Sequence, residues 1–307
     1  MRAYFGKEIA GIFEEILCDL YYDPDYVASP RGMEVREIRD CSMEIENPME
    51  NMYINEYRSS VLKYLSSEIL WYFSGTNNPS YIENYASMWK NLHNSDGTVN
   101  SAYGNLLFTE KNEHNLTQYE WVIRSLKKDK DSRQAFMHFN KPQHQYFGNK
   151  DQVCTLQALF HIRDNKLHMT LTMRSNDVVL GFMTDFTFFS VLQYQVFLHL
   201  KKYYPEIEMG SYTHISHSMH LYEKHYDLVK NMLTKSFEPN SLPLSNTPII
   251  DETGKFLKKY EDIFLPITQG KIPEFRKNTN NIKEGDIYSD WEIKTDNDLL
   301  NWCISKL

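Results

Sequence analysis

Residues 166–203 constrain the fold more than any other stretch. Lys166–Met173 reads Lys-Leu-His-Met-Thr-Leu-Thr-Met, with apolar and polar side chains alternating at the period of a strand that buries one face. A corner follows, Arg174-Ser175-Asn176-Asp177-Val178-Val179-Leu180-Gly181, and then an apolar helical pattern from about 182 to 203. A strand-to-helix corner holds polar groups still, because the framework on either side is rigid. Here Arg174 and Ser175 are suited to grip an anion and Asp177 to orient a ligand. Gly181 allows close backbone approach beside a second carboxylate, Asp185. Cys154 stands twenty residues before Arg174.

At 307 residues, with no repeat and no clear linker before about residue 237, one main core is expected. The formal charge of −8 argues against a general nucleic-acid binder, whose affinity rests on basic residues meeting phosphates, so any bound phosphate needs a local arginine pocket. Cys18, Cys41, Cys154 and Cys303 are too widely spaced for a zinc Cys-x-x-Cys pair or a disulfide framework. The N-terminus lacks a signal-peptide pattern, and no apolar run approaches the roughly 20 residues of a membrane span. A reducing cytoplasm is the expected location.

In chain order, 4–20 has helical spacing, the turn at 29–32 leads to a strand over 33–45, and 59–73 is a strong helix. Glu68 lies inside that helix, followed by Ile69-Leu70-Trp71-Tyr72. A glutamate so placed needs a partner or a purpose, since burying it unpaired is expensive. After the breaker at 74–79, a second helix is expected over 80–92, a third over 118–127, a strand running to Ile162, and another over 206–215. His214, His217 and His220 are spaced His-x-x-His-x-x-His, but strand periodicity spreads such side chains and no carboxylate or cysteine completes a shell, so no metal is assigned.

Arg174-Ser-x-Asp-x-x-Leu-Gly181, with Cys154 twenty residues earlier, resembles the thymidylate synthase superfamily, most nearly its deoxycytidylate hydroxymethylase branch. The resemblance covers about residues 1–230. It implies an α+β fold with a large mixed sheet covered by helices, a homodimer formed through the sheets, a catalytic domain over 1–235 and a divergent C-terminal extension over 236–307.

It also implies the site. Cys154, here flanked by Val153 and Thr155 rather than the family's Pro and His, would add to carbon 6 of a pyrimidine, and Arg174 would favour its thiolate. Glu68 resembles the glutamate that manages ring protons through water, and Tyr103, in Ala102-Tyr103-Gly104, the tyrosine that helps remove a proton. Arg31, Arg133, Arg174 and Ser175 fall on the phosphate side, with Arg133 reaching the partner subunit's site and Gln134 standing where the family has a second arginine. His220 and Tyr222 match the His-x-Tyr that holds the sugar 3′-hydroxyl. Trp89, Asp177, Leu180 and Gly181 fall on the folate side, where methylenetetrahydrofolate is the implied co-substrate.

Asp185, four residues after Leu-Gly, replaces the asparagine of uracil-specific members. A carboxylate accepts from the 4-amino group of cytosine but donates to O4 of uracil only if protonated, so cytosine is expected, with a titration shared between Asp185 and the ring. The altered tail, together with Leu92 in place of a second tryptophan, suggests an intermediate open to water and hence a hydroxymethyl product, supplied to a virus that modifies its DNA. Competing readings are a thymidylate synthase-like methylase, a CMP hydroxymethylase, and a catalytically retired nucleotide- or RNA-binding relative. A zinc deaminase is disfavoured for want of paired cysteines.

Overall fold

Strands alternate with helices from the first residues of the chain, and a computed structural model describes residues 1–269 and 295–307. The chain begins Arg2–Gly6 (β1), Ile9–Tyr22 (α1), Tyr26–Ala28 (β2), Val35–Ile45 (β3) and Met52–Ile54 (β4). It continues through Leu62–Phe73 (α2), Tyr103–Phe108 (α3), Gln118–Lys128 (α4), Phe136–His138 (β5), Thr155–Arg163 (β6), Lys166–Met173 (β7) and Asn176–Asp177 (β8). The remaining elements are Phe182–Leu200 (α5), Glu208–Tyr222 (β9), Tyr226–Met232 (α6), Glu238–Asn240 (β10), Lys258–Thr268 (α7) and Asp298–Lys306 (α8).

Two units divide these elements: Met1–Val61, Val122–Asn140 and Cys154–Leu242 form the first, and Leu62–Trp121, Lys141–Val153 and Pro243–Leu307 the second. Part of the C-terminal extension, 270–294, lies outside the described residues.

The first unit is built on an eight-stranded sheet of order β1-β3-β9-β7-β6-β5, with β2 beside β3 and β8 beside β9. Parallel pairings of β1 with β3 and of β7 and β8 with β9 are mixed with antiparallel ones, the mixed sheet expected. Its tightest hairpin joins β6 to β7 through Asp164 and Asn165, both left-handed (φ 48° and 58°). Asp and Asn tolerate this region better than most residues, and it suits a two-residue turn.

Strand register gives the sheet two different faces. Tyr4, Met43, His214, Leu171, Ala158 and Met137 form one row across six strands, and all are buried. The neighbouring row, Phe5, Glu44, Thr213, Thr170, Leu159 and Phe136, points the other way, and none of its members is buried. Helix α5 explains the first row. It is apolar nearly all round, as a helix sunk in a core must be, and Gln193 ties it to the sheet by donating to the carbonyls of Leu167 and Ser211 at 2.9 and 3.2 Å.

In the second unit α2 packs against α3, α7 and α8. Gly104 fixes the approach of α3 to α2, because a Cβ there would sit 1.7 Å from the carbonyl oxygen of Tyr72. The rings of Tyr103 and Tyr72 consequently stack at 5.2 Å.

Three expectations need correction. The first helix starts at Ile9 rather than near Tyr4, which instead pairs with Met43 in β1, a partner 39 residues away that local periodicity cannot reveal. The helix expected over 80–92 is two short 3-10 turns, Ile82–Asn84 and Ser87–Asn91. Between them Asn84 turns its side chain back to the carbonyls of Ser80 and Tyr81, and Ala86 is extended, so no α-helical ladder propagates. The strand expected over 206–215 runs from Glu208 through Tyr222, placing all three histidines on one strand.

Candidate active site

Cys154 closes the segment before β6, where its carbonyl accepts the backbone N–H of Arg174 at 2.9 Å and so extends the β6–β7 pairing by one residue. That pairing sets the side chains together: Nη2 of Arg174 donates to Sγ of Cys154 at 3.4 Å. A guanidinium against a half-exposed sulfur favours the anionic, nucleophilic form. The buried thiols differ, since burial pushes Cys41 up to about 12 and Cys303 above the ordinary thiol range.

Asn176, two residues beyond Arg174, ties Asp185 to the same corner. Nδ2 of Asn176 donates to Oδ2 of Asp185 at 2.9 Å, and a methyl on Gly181 would lie 3.4 Å from both atoms. Arg174 and Asn176 thus connect Cys154 and Asp185 to opposite ends of one short stretch of backbone. Behind Asn176 the contacts continue into the core. Its Oδ1 meets Nε2 of His214 at 3.1 Å, and Nδ1 of His214 meets the Tyr212 hydroxyl at 2.9 Å.

Asp177 holds the corner itself. Its Oδ1 accepts from the backbone N–H groups of Val179 and Leu180 at 2.9 and 3.1 Å, while Arg58 donates to the Val179 carbonyl at 2.9 Å. Leu180 stays 46% exposed, the one exposed large apolar side chain of this corner. His220 lies two residues before Tyr222 on the same face of β9, the two rings edge to face at 5.0 Å. His217 points to the opposite face and bonds Asp40 at 2.8 Å, so the three-residue spacing does not gather the three histidines. No group of three or more metal-binding side chains occurs among the described residues.

Arg31 occupies a left-handed turn (φ 55°) ahead of Gly32 and is exposed, as is Arg133. Neither has an ion-pair partner among the described residues, which leaves both guanidinia available to an anion. Ser175 is half-buried beside Arg174.

In the second unit, Glu68 is buried and its Oε1 accepts from Tyr64 at 2.7 Å and from Tyr72 at 3.3 Å. Those tyrosines sit four residues before and after it, so the helix itself provides the partners, and Tyr-x-x-x-Glu-x-x-x-Tyr was a readable signal for them. Oε2 of Glu68 is buried without a hydrogen-bond partner among the described residues. Burial pushes this carboxyl up to about 7, with Tyr64 and Tyr72 opposing, so it exchanges a proton near neutrality. Trp89 is buried, donates to the Tyr64 hydroxyl at 3.1 Å and meets Trp71 edge to face, which makes it a core residue of this unit. A separate polar cleft of about 580 Å³, lined by Asn77, Asn94, Asp96, Glu110 and His144 among others, includes none of the expected site residues.

The Glu68 shift has a measurable consequence. The folded protein binds this proton more tightly than the unfolded chain, so stability falls as pH rises from about 4.5 to about 7 and is flat beyond. Wild type should lose about 3 kcal/mol relative to Glu68→Gln over that window, read by urea unfolding of both proteins at several pH values. A pH-independent difference would show that the carboxyl is not held protonated.

The sequence model of the thymidylate synthase family matches residues 15–265, well over half of the chain. The chain belongs to that family. Its thymidylate synthase fold is also seen in the solved structure of the thermostable thymidylate synthase A of Bacillus subtilis, with a TM-score of 0.64 at 19% identity, covering 81% of this chain and 92% of that one. Deoxycytidylate 5-hydroxymethyltransferase of Enterobacteria phage T6 is 28% identical over 214 residues, 67% of this chain and 83% of its own length. Deoxyuridylate hydroxymethyltransferase of Bacillus phage SP01 is 26% identical over 268 residues, 84% of this chain and 68% of its own. Thymidylate synthase of Buchnera aphidicola is 28% identical over 183 residues, 57% of this chain and 65% of its own. As a thymidylate synthase family member the chain is a one-carbon transferase. Among the described residues, no helix is long and apolar enough to cross a membrane.

Proposed function

We propose that the chain is a deoxycytidylate 5-hydroxymethyltransferase that converts dCMP to 5-hydroxymethyl-dCMP, a precursor for modified DNA of the kind a bacteriophage makes. The observation that carries this reading is the Asp185 carboxylate, which Asn176 orients at the corner bearing Arg174 and Cys154. A carboxylate accepts from the 4-amino group of cytosine and repels O4 of uracil. The phage relatives are divided on this point, one acting on deoxycytidylate and another on deoxyuridylate, so Asp185 is what favours the first.

The chemistry follows from the residues. The Cys154 thiolate adds to carbon 6, pushing the ring's 5,6 π pair onto carbon 5, which bonds to the one-carbon unit; carbon 5 then gives up its proton as the carbon–nitrogen bond to the folate breaks and tetrahydrofolate leaves with that bonding pair. Water adds to the resulting exocyclic methylene, and the sulfur leaves carbon 6 with its bonding pair. Methylenetetrahydrofolate supplies the one-carbon unit when bound. The half-exposed Leu180 beside Gly181 suits its flat ring, and Asp177 keeps that turn in place, whereas the internally bonded Trp89 has less to offer it. Glu68 and Tyr103 keep the proton-handling roles implied by the family resemblance, and the carboxyl near 7 supports the first of these. Arg31, Arg133, Arg174 and Ser175 serve the phosphate, and His220 and Tyr222 the sugar.

The sheet face carrying Phe5, Glu44, Thr213, Thr170, Leu159 and Phe136 supports a homodimer formed sheet to sheet, because a broad face left this open is best buried by its own copy. Sedimentation should give twice the monomer mass, and Thr213→Arg on that face should halve it.

Incubation with methylenetetrahydrofolate and CMP, dCMP or dUMP, followed by mass spectrometry of the nucleotide, tests the reaction. The expected product is dCMP gaining CH₂O. Dihydrofolate appearing in step with nucleotide consumption would mean methylation instead, and turnover of dUMP alone would overturn the substrate.

A further inference from the structure

The two oxygens of the Glu68 carboxyl stand in different surroundings. Oε1 accepts from Tyr64 at 2.7 Å and from Tyr72 at 3.3 Å, while Oε2 is buried with no hydrogen-bond partner among the described residues. A carboxylate shares its charge between both oxygens, so the two hydroxyls stabilise the whole ion although they touch one end of it. The proton goes to the other end. On Oε1 it would take the place of one of the two donors, and on Oε2 it displaces nothing.

The neighbouring elements reinforce the Tyr64 bond without supplying a charge. Nε1 of Trp89, in the 3-10 turn Ser87–Asn91, donates to the Tyr64 hydroxyl at 3.1 Å. An indole N–H can only donate, so it polarises that hydroxyl into a stronger donor toward Glu68. From α3, Tyr103 meets Tyr72 ring to ring at 5.2 Å. Of the described residues on α3, α7 and α8, which pack against α2, none sets a charged side chain against the carboxyl. Its ionisation is thus decided between burial, which opposes the ion, and the two hydroxyls, which favour it.

We infer that Tyr64 and Tyr72 are positioning residues that set the pH at which Glu68 gives up its proton, bringing a buried carboxyl back into the working range of the enzyme. The inference rests on the reading of Glu68 as the group that handles ring protons. Both tyrosines act through Glu68 and are expected not to touch the substrate. Because they stand four residues to either side of it on one helix, the device is contained in α2.

Tyr64→Phe and Tyr72→Phe test this, since each removes one hydroxyl and keeps the ring, in the second case the ring stacked on Tyr103. Carbon NMR of glutamate-labelled protein, with Glu68 assigned from its loss in Glu68→Gln, gives the titration midpoint directly. The midpoint should rise by about one pH unit or more in Tyr64→Phe, which loses the shorter bond, and by less in Tyr72→Phe. The limb of the kcat profile for dCMP that Glu68 governs should move upward by the same amounts. If Tyr64→Phe, which takes the Tyr64 oxygen from Trp89, fails to fold, Tyr72→Phe alone decides the outcome. A midpoint unmoved by loss of either hydroxyl would overturn this inference and leave the proposed function standing. A wild type that makes the hydroxymethyl product with no limb near the Glu68 midpoint would instead overturn the reading of Glu68 itself.

Discussion

Replacing Cys154 by alanine should cut turnover of dCMP by roughly 10⁴-fold or more while leaving the fold intact, the loss expected when a nucleophile rather than a binding contact is removed. Cys154 lies half-exposed at the end of a strand, and its backbone carbonyl, which accepts from Arg174, is untouched by the change. The melting temperature should therefore barely move. Intact-mass spectrometry of acid-quenched reactions gives an independent readout, in which wild type should carry a fraction of protein heavier by one nucleotide and the variant none. An alanine variant retaining more than a few per cent of activity would remove Cys154 from the chemistry, since no other group on that corner can form the same bond. Arg174→Gln, which keeps hydrogen bonding but removes the charge beside sulfur, should fall between the two.

Asp185→Asn should reverse the base preference, moving the dCMP to dUMP ratio of kcat/KM by about 10³-fold, the size expected where a site built for one hydrogen-bonding edge meets the other. The structure explains why the variant should fold. The new amide can offer its oxygen to Nδ2 of Asn176, in the place of Oδ2 of Asp185, so the internal bond survives. Its NH₂ then becomes the group presented to the pyrimidine, a donor for O4 where wild type has an acceptor. Steady-state kinetics on both nucleotides decides it. Undiminished selectivity for dCMP would place base recognition elsewhere.

How much of this was legible in the chain can be judged from particular elements. The alternation over Lys166–Met173 and the apolar run after Gly181 were strong enough to place β7, the corner and α5, because a period of 2 giving way to 3.6 is a local signal. Cys154, Arg174 and Asp185 were placed by spacing within one motif, and the structure brings each into contact with that corner. The failures are of another kind. β1 exists because β3 is beside it, and the 80–92 segment is not helical because Asn84 takes carbonyls that a helix would have used. Asn176 stood at the wild-card position of the motif, and its partners Tyr212 and His214 lie 36 and 38 residues further on. Nothing local marks such a set, although the two-residue spacing of Tyr212 and His214 does put them on one side of a strand. Tyr64 and Tyr72, by contrast, were within reach of a helix-spacing argument around Glu68.

The middle link of the buried chain is an amide, and this has a consequence for how protons travel. An imidazole or a hydroxyl can pass a proton along by taking one and releasing another, but a carboxamide does so only through an unstable imidic acid. Asn176 thus conveys orientation from His214 to Asp185 and blocks charge. No proton reaches Asp185 by way of Asn176, so along that path the core behaves as an insulator rather than a wire.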